Sequence, residues 1–160
     1  MNQVCETPLG FLLHAQEFFY TAQLALNQRD DVSLPSYFLL GRSIELSLKA
    51  FLLSRGVTPK ELKSRRFGHN LEVLFDEAIA RNIEQELSIS DVERGMLRLL
   101  NWDYLEKRFE YRVTGGTYAL PLIDVTTQIA RKLAYGLSNS CAPVRSSVLA
   151  EPVAPGDAPR

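Results

Sequence analysis

The sequence predicts an all-α fold, an up-and-down bundle of four to five antiparallel helices. Three observations carry this. Apolar residues recur at helical spacing through most of the chain. Cap signals precede several of these runs. No alternating pattern long enough for a strand interrupts them.

The first helix is expected from about Pro8 to Asn27. Phe11, Ala15, Phe18, Ala22 and Leu26 would form its core face, with His14, Glu17 and Thr21 opposite. The second starts after Ser33, a capping residue, and stops at Gly56, which can take the left-handed conformation that ends a helix. It is the most apolar segment and is expected at the centre. Thr58-Pro59-Lys60-Glu61 has capping-box spacing with proline in the first turn, where no N–H is lost. The third helix is expected from about Asn70 to Arg81, with Leu71, Leu74, Phe75 and Ala78 as its stripe. A second capping box, Ser90-Asp91-Val92-Glu93, opens the fourth, which would reach about Lys107. "VTGGTY" breaks the chain before a fifth helix, from Thr117 or Pro121 to Gly136. Gly41 and Gly95 fall inside helices, where glycine costs about 1 kcal/mol relative to alanine. Close helix crossings would explain both. Short connections between long helices imply antiparallel neighbours.

Residues 1–138 are therefore read as one helical bundle. Residues 139–160, rich in Pro, Ser, Ala and Gly, are read as a disordered tail. A chain of 160 residues with 46% hydrophobic and 23% charged residues is ordinary for a single globular domain. A net charge of -1 gives no general attraction for nucleic acid, so such binding would need a local basic patch. Cys5 and Cys141 make neither a disulfide framework nor, with two histidines, a zinc motif. No metal or cofactor is expected. The N-terminal stretch reads as neither signal peptide nor membrane span, so the expected setting is cytoplasmic.

Three groups of residues could carry chemistry. His69 follows Gly68 and directly precedes a helix start, where unpaired N–H groups and the helix dipole favour anions. Arg65 and Arg66 stand just before it and suit phosphate. The plain alternative is that His69 or Asn70 caps the helix and the arginines are solvated. Arg42, Glu45 and Lys49 share one face of the second helix. They are either its wet face, with an exposed Glu45–Lys49 pair worth about 0.3–0.5 kcal/mol, or a partly buried network. Trp102, Tyr104, Arg108, Tyr111 and Arg112 mix aromatics with arginines, which suits stacked bases and phosphates or plain helix-end packing.

"SYFLLGRSIELSLKAFLLSRG", a loop, and then "FGHNLEVLFDEA" resemble the HEPN family of small helical domains. The matching positions are Glu45 and Lys49, then Gly68, His69, Asn70 and Leu71. The segment around Tyr104, Arg108 and Tyr111 matches more loosely. The resemblance spans roughly residues 9–137. It implies a helical bundle, a homodimer, and roles in RNA cleavage, toxin–antitoxin pairs or phage defence, often beside a nucleotidyltransferase-like antitoxin partner. Ribonuclease members of the family carry an Arg…His motif on a late helix. Here the fourth and fifth helices contain no histidine, and only Lys63 stands at the usual spacing before His69.

The favoured expectation is thus a non-catalytic HEPN-like module. It would bind a nucleotide, RNA phosphates or a protein partner through Arg65, Arg66, Lys49, Glu45, Arg108 and Arg112. One alternative is a metal-independent endoribonuclease with His69 as catalytic acid or base. Another is a purely structural homodimer. The expected geometry places His69 against Glu45 and Lys49. The expected dimer covers apolar surface in excess on the second helix, using the first or last helices.

Overall fold

The computed structural model describes residues 6–144 and is all-helical over that range. The helices are α1 (Pro8–Asn27), α2 (Leu34–Ser54), α3 (Pro59–Leu62), α4 (Leu71–Ala80), α5 (Asp91–Leu105), α6 (Ile123–Gly136) and α7 (Ser138–Cys141). A 3-10 turn, Ile83–Gln85, separates α4 from α5.

The predicted starts are observed where a side chain meets an orphan N–H. Thr7 accepts from the Gly10 amide at α1, and Ser33 accepts from the Ser36 amide at α2. Both capping boxes close: Thr58 with Glu61 at α3, and Ser90 with Glu93 at α5. Asn70 caps α4 by accepting from the Val73 amide. Gly56, at φ +89°, turns the chain out of α2.

α2 is the hub, packed by α1, α4, α5, α6 and α7. α1 and α2, joined by the short 28–33 connection, lie against each other along their length, and Ser43 donates to the Ala15 carbonyl 2.8 Å away. Leu40, Ile44, Leu48, Phe51 and Leu52 of α2 are fully buried. They meet Leu12 and Phe19 of α1, Leu71 and Leu74 of α4, Leu97 and Leu100 of α5, and Ile129 and Leu133 of α6 in one core.

Several expectations are corrected. The core face of α1 is Leu12, Ala15, Phe19 and Ala22, while Phe11 and Phe18 are only partly buried at its edge. With leucine and phenylalanine adjacent at 11–12 and 18–19, periodicity alone leaves the phase of the stripe open. α2 has no large exposed apolar residue, because the bundle covers it; the surplus apolar surface lies on α1 instead. α5 ends at Leu105 because Lys107 takes φ +57°. α6 begins at Ile123, beyond Thr117 and Pro121. Residues 117–121 are held out of the helix by three bonds: Arg108 to the Thr117 carbonyl, the Ala119 amide to Asp103, and the Tyr37 hydroxyl to the Pro121 carbonyl. The bundle also runs past residue 138. α7 packs on α1 and α2, and its Cys141 is buried, with burial pushing the thiol up to about 11. The rest of the expected tail, from residue 145, lies outside the described residues.

The two helix-interior glycines differ. A Cβ on Gly41 would stand 2.6 Å from the Tyr104 ring, so the close crossing there is real. Around Gly95 nothing stands within 4 Å, so no crossing explains it. Among the described residues no helix is long and apolar enough to cross a membrane, and no group of three or more His, Cys, Asp or Glu is placed to hold a metal ion.

Candidate functional site

The site is built on one buried carboxylate. Glu45 lies in the middle of α2 and is 0% exposed. Three donors reach it, two from neighbouring turns of α2 and one from α5. Lys49 Nζ, one turn on, donates at 2.7 Å, and Arg42 Nη1, one turn back, at 2.9 Å. The Tyr104 hydroxyl, from α5, donates at 2.6 Å. Gly41 makes this last contact possible by leaving room for the Tyr104 ring against α2. Of the two readings of this face, wet face or partly buried network, the network is the one observed, and in it a lost partner is far more costly than in an exposed pair.

The fourth partner is His69, whose Nδ1 lies 3.1 Å from both Glu45 oxygens. A carboxylate only accepts, so Nδ1 carries the hydrogen and Nε2 is the other, available end of the ring. The local sequence explains the placement. Phe67 is buried and anchors the turn, and Gly68 takes φ +44°, a left-handed conformation suited to glycine. Asn70 then caps α4 while its side chain accepts from Asn101, and Asn101 accepts from the Leu71 amide. With Asn70 occupied as the cap, His69 is left to face α2. Its side chain is 51% exposed, so it sits over Glu45 at the surface rather than in the core.

Opposing forces set the charge of the cluster. Burial pushes the Glu45 carboxyl up, but Lys49 and Arg42 with the Tyr104 hydroxyl outweigh it and hold the group below the usual carboxylate range. Burial, and then the charge of Glu45, push the Tyr104 phenol well up, so it stays a donor. Glu45 is thus an anion held by fixed donors.

Above this network lies a groove of about 490 Å³ between α1, α2, α3 and the His69 turn. Arg42, Lys49, Lys63, His69 and His14 line its polar side. Among the described residues Glu6 is the one acidic residue lining it, and it pairs with Lys63 at 2.7 Å. Phe11, Leu46, Pro59 and Leu62 make an apolar wall. Both histidines of the chain therefore meet here. His14 has its Nδ1 on Glu17, 3.1 Å away, as His69 has on Glu45. Among the described residues neither Nε2 has a hydrogen-bond partner.

The residues singled out from sequence divide. Glu45, Lys49 and His69 come together as expected. Arg66 turns aside to Glu77, 2.6 Å away, with its guanidinium over Phe67. Arg65 is exposed and does not line the groove. Arg108 is bound to buried Asp103 and to the Thr117 carbonyl, and lies over the Tyr118 ring. Arg112 lines a separate cleft with Pro35, Phe109 and Gly116. Sequence reasoning passed over His14 as an outer-face residue. It is indeed exposed, yet it shares the Thr7-Gly10-Phe11 side of α1 that faces the groove. That spacing was the one available signal, and one helix does not say which element lies opposite.

Comparisons with protein-family models, with curated proteins and with solved structures give no match.

Proposed function

We propose that this chain is a HEPN-like helical module that binds a phosphate group of a nucleotide or RNA in the groove over Glu45, without cleaving it, in a toxin–antitoxin or phage-defence setting. The observation that carries this reading is the convergence of Arg42, Lys49, Lys63, His14 and His69 on one amphipathic groove. Arginine and lysine donors suit phosphate oxygens. The apolar wall of Phe11, Leu46 and Leu62 suits a base or ribose, and the volume falls in the usual range for small-molecule sites. Glu45 fixes Arg42 and Lys49 in place, so less side-chain entropy is lost on binding. The biological setting and a nucleotidyltransferase-like antitoxin partner are supported by the resemblance alone.

Titration calorimetry with AMP and inorganic phosphate, and polarisation of a labelled short single-stranded RNA, test the reading. His69→Ala and Lys63→Ala are expected to weaken binding by about tenfold or more, the loss of one charge-assisted contact. Arg112→Ala, outside the groove, should leave it unchanged. Binding that survives both groove substitutions would refute the site.

One observation favours a second reading, a metal-independent endoribonuclease. His69 is open to a groove that also holds Arg42, and His14 lines the same groove with its own carboxylate. One imidazole would take the proton of the RNA 2′-hydroxyl. O2′ would attack phosphorus, the P–O5′ bond would break, and the other imidazolium would protonate the leaving O5′. The products would be a 2′,3′-cyclic phosphate and a 5′-hydroxyl end. Incubation of RNA in EDTA, with a 2′-deoxy control, separates the two readings. Intact RNA bound by the protein supports the first; cyclic-phosphate ends lost in both His14→Ala and His69→Ala support the second.

A further inference from the structure

A second concavity, of about 540 Å³, lies at the opposite end of α1 from the groove over Glu45. Gln23 and Asn27 of α1 form one wall, and Asp124, Gln128 and Arg131 of α6 form the other. Asp30, in the connection that follows α1, closes one end. The two helices run antiparallel. Gln16 donates to the Ala134 carbonyl at 2.8 Å and Arg131 lies over the Phe19 ring, while Asn27 shares the concavity with the start of α6. Asp124, Gln128 and Arg131 are spaced i, i+4, i+7, so they stand in one row along α6. The concavity is therefore a trough that follows the seam between α1 and α6.

The trough carries opposite charges at its two ends. Arg29 and Asp31 at its rim neutralise each other through two bonds of 2.8 Å. Lys132, next to Arg131, is taken by Glu93. Among the described residues Asp30, Asp124 and Arg131 form no ion pair. Two free carboxylates thus stand where α6 begins. A free guanidinium stands seven residues on, about 10 Å further along the helix axis. Along the trough between them are the carboxamides of Gln23, Asn27 and Gln128. Among the described residues none of the three side chains has a hydrogen-bond partner. A carboxamide offers both an acceptor and two donors, the complement of a peptide group.

We propose that this trough binds a short peptide with free termini, about three residues long, laid along the seam between α1 and α6. Its terminal ammonium has three donors, which Asp30 and Asp124 share. Its terminal carboxylate meets the planar fork of Arg131. The carboxamides of Gln23, Asn27 and Gln128 pair with its peptide groups. An extended chain advances about 3.3–3.6 Å per residue, so three residues span the distance between the charged ends. Two carboxylates against one guanidinium leave an excess of negative charge, which disfavours phosphate. The trough shares no residue with the groove over Glu45, so its ligand is independent of what that groove binds.

Titration calorimetry of the full chain at neutral pH with trialanine, N-acetyl-trialanine and trialanine amide tests the site. Trialanine should bind with a Kd on the order of 0.1–1 mM, as expected for so small a ligand. Blocking either terminus should weaken binding by about tenfold or more, the loss of one charge-assisted contact. Asp124→Asn should erase the preference for the free amine, and Arg131→Gln the preference for the free carboxylate. Both positions are exposed, so the fold, followed by circular dichroism, should persist. Lys63→Ala, in the other groove, should change nothing. 8-Aminooctanoate spaces the same two charges equally but has no amide, and should bind about tenfold more weakly or worse. No binding of trialanine up to about 5 mM, blocked peptides that bind as tightly as the free one, or preferences that survive both substitutions would overturn the site. Equal binding of 8-aminooctanoate would overturn the peptide as its ligand.

Discussion

Glu45 and Asp103 are both carboxylates with no exposed surface, one on α2 and one on α5, yet the protein uses them differently. Asp103 is bound by the Arg108 guanidinium and by the Ala119 amide. Arg108 also donates to the Thr117 carbonyl and covers Tyr118. Every partner belongs to the same short stretch of chain, which is thereby closed over the end of the bundle. Glu45 is bound by side chains from α2, α5 and the turn before α4, and three of them, Arg42, Lys49 and His69, continue to a groove. A buried charge whose donors end on backbone makes a clasp. A buried charge whose donors have further capacity facing solvent makes a foundation for a site.

The largest expected effect is loss of either carboxylate. Glu45→Ala leaves Arg42 and Lys49 without their anion and should cost about 3–5 kcal/mol, read from denaturant melts. Asp103→Ala should cost a similar amount, but groove binding measured below its melting point should be normal. A mild melt for either would mean that water already serves the cations. Gly41→Ala should follow at about 1–3 kcal/mol, since its Cβ would stand 2.6 Å from the Tyr104 ring and displace the donor to Glu45. Gly95→Ala, with open space around it, should instead stabilise by about 1 kcal/mol. Equal effects at the two glycines would undo the claimed close approach.

Acid sharpens the same contrast. The folded-state pKa of Glu45 lies below its ordinary value of 4.5, so the native state favours the ionised form more than the unfolded chain does. That contribution is present above pH 4.5 and is lost as the pH falls through the folded value. Glu45→Gln should therefore flatten the acid limb of stability against pH, measured by melts from pH 7 to pH 3. An unchanged limb would show that other carboxylates set it. The smallest stability effect is expected for His69→Ala. His69 is half exposed, and Glu45 retains Lys49, Arg42 and Tyr104, so the cost should be below about 1 kcal/mol. Any larger loss would place His69 with the clasp rather than with the groove.

Much of the fold was legible because its signals are local. Ser33, Thr58, Asn70 and Ser90 each cap a helix through a side chain three residues from its target. Gly56 ends α2 for a reason contained in its own backbone. The approach of His69 to Glu45 was legible too, since a short connection returns the chain to the second half of α2. What failed was phase and company. Phe11 and Phe18 have equally apolar neighbours in Leu12 and Phe19, and only packing against α2 and α6 decides which pair goes inside.

The sequence by itself determined where helices start and stop, that α2 is central, and that Glu45, Lys49 and His69 meet, because caps, periodicity and short connections act over a few residues. Tertiary structure alone decided that Glu45 is buried, that Tyr104 reaches it past Gly41, that Arg66 and Arg108 turn to Glu77 and Asp103, and that His14 joins the groove. Those outcomes depend on which faces of separate helices come together, and a helix's own residues do not encode the identity of the side chains packed across from it.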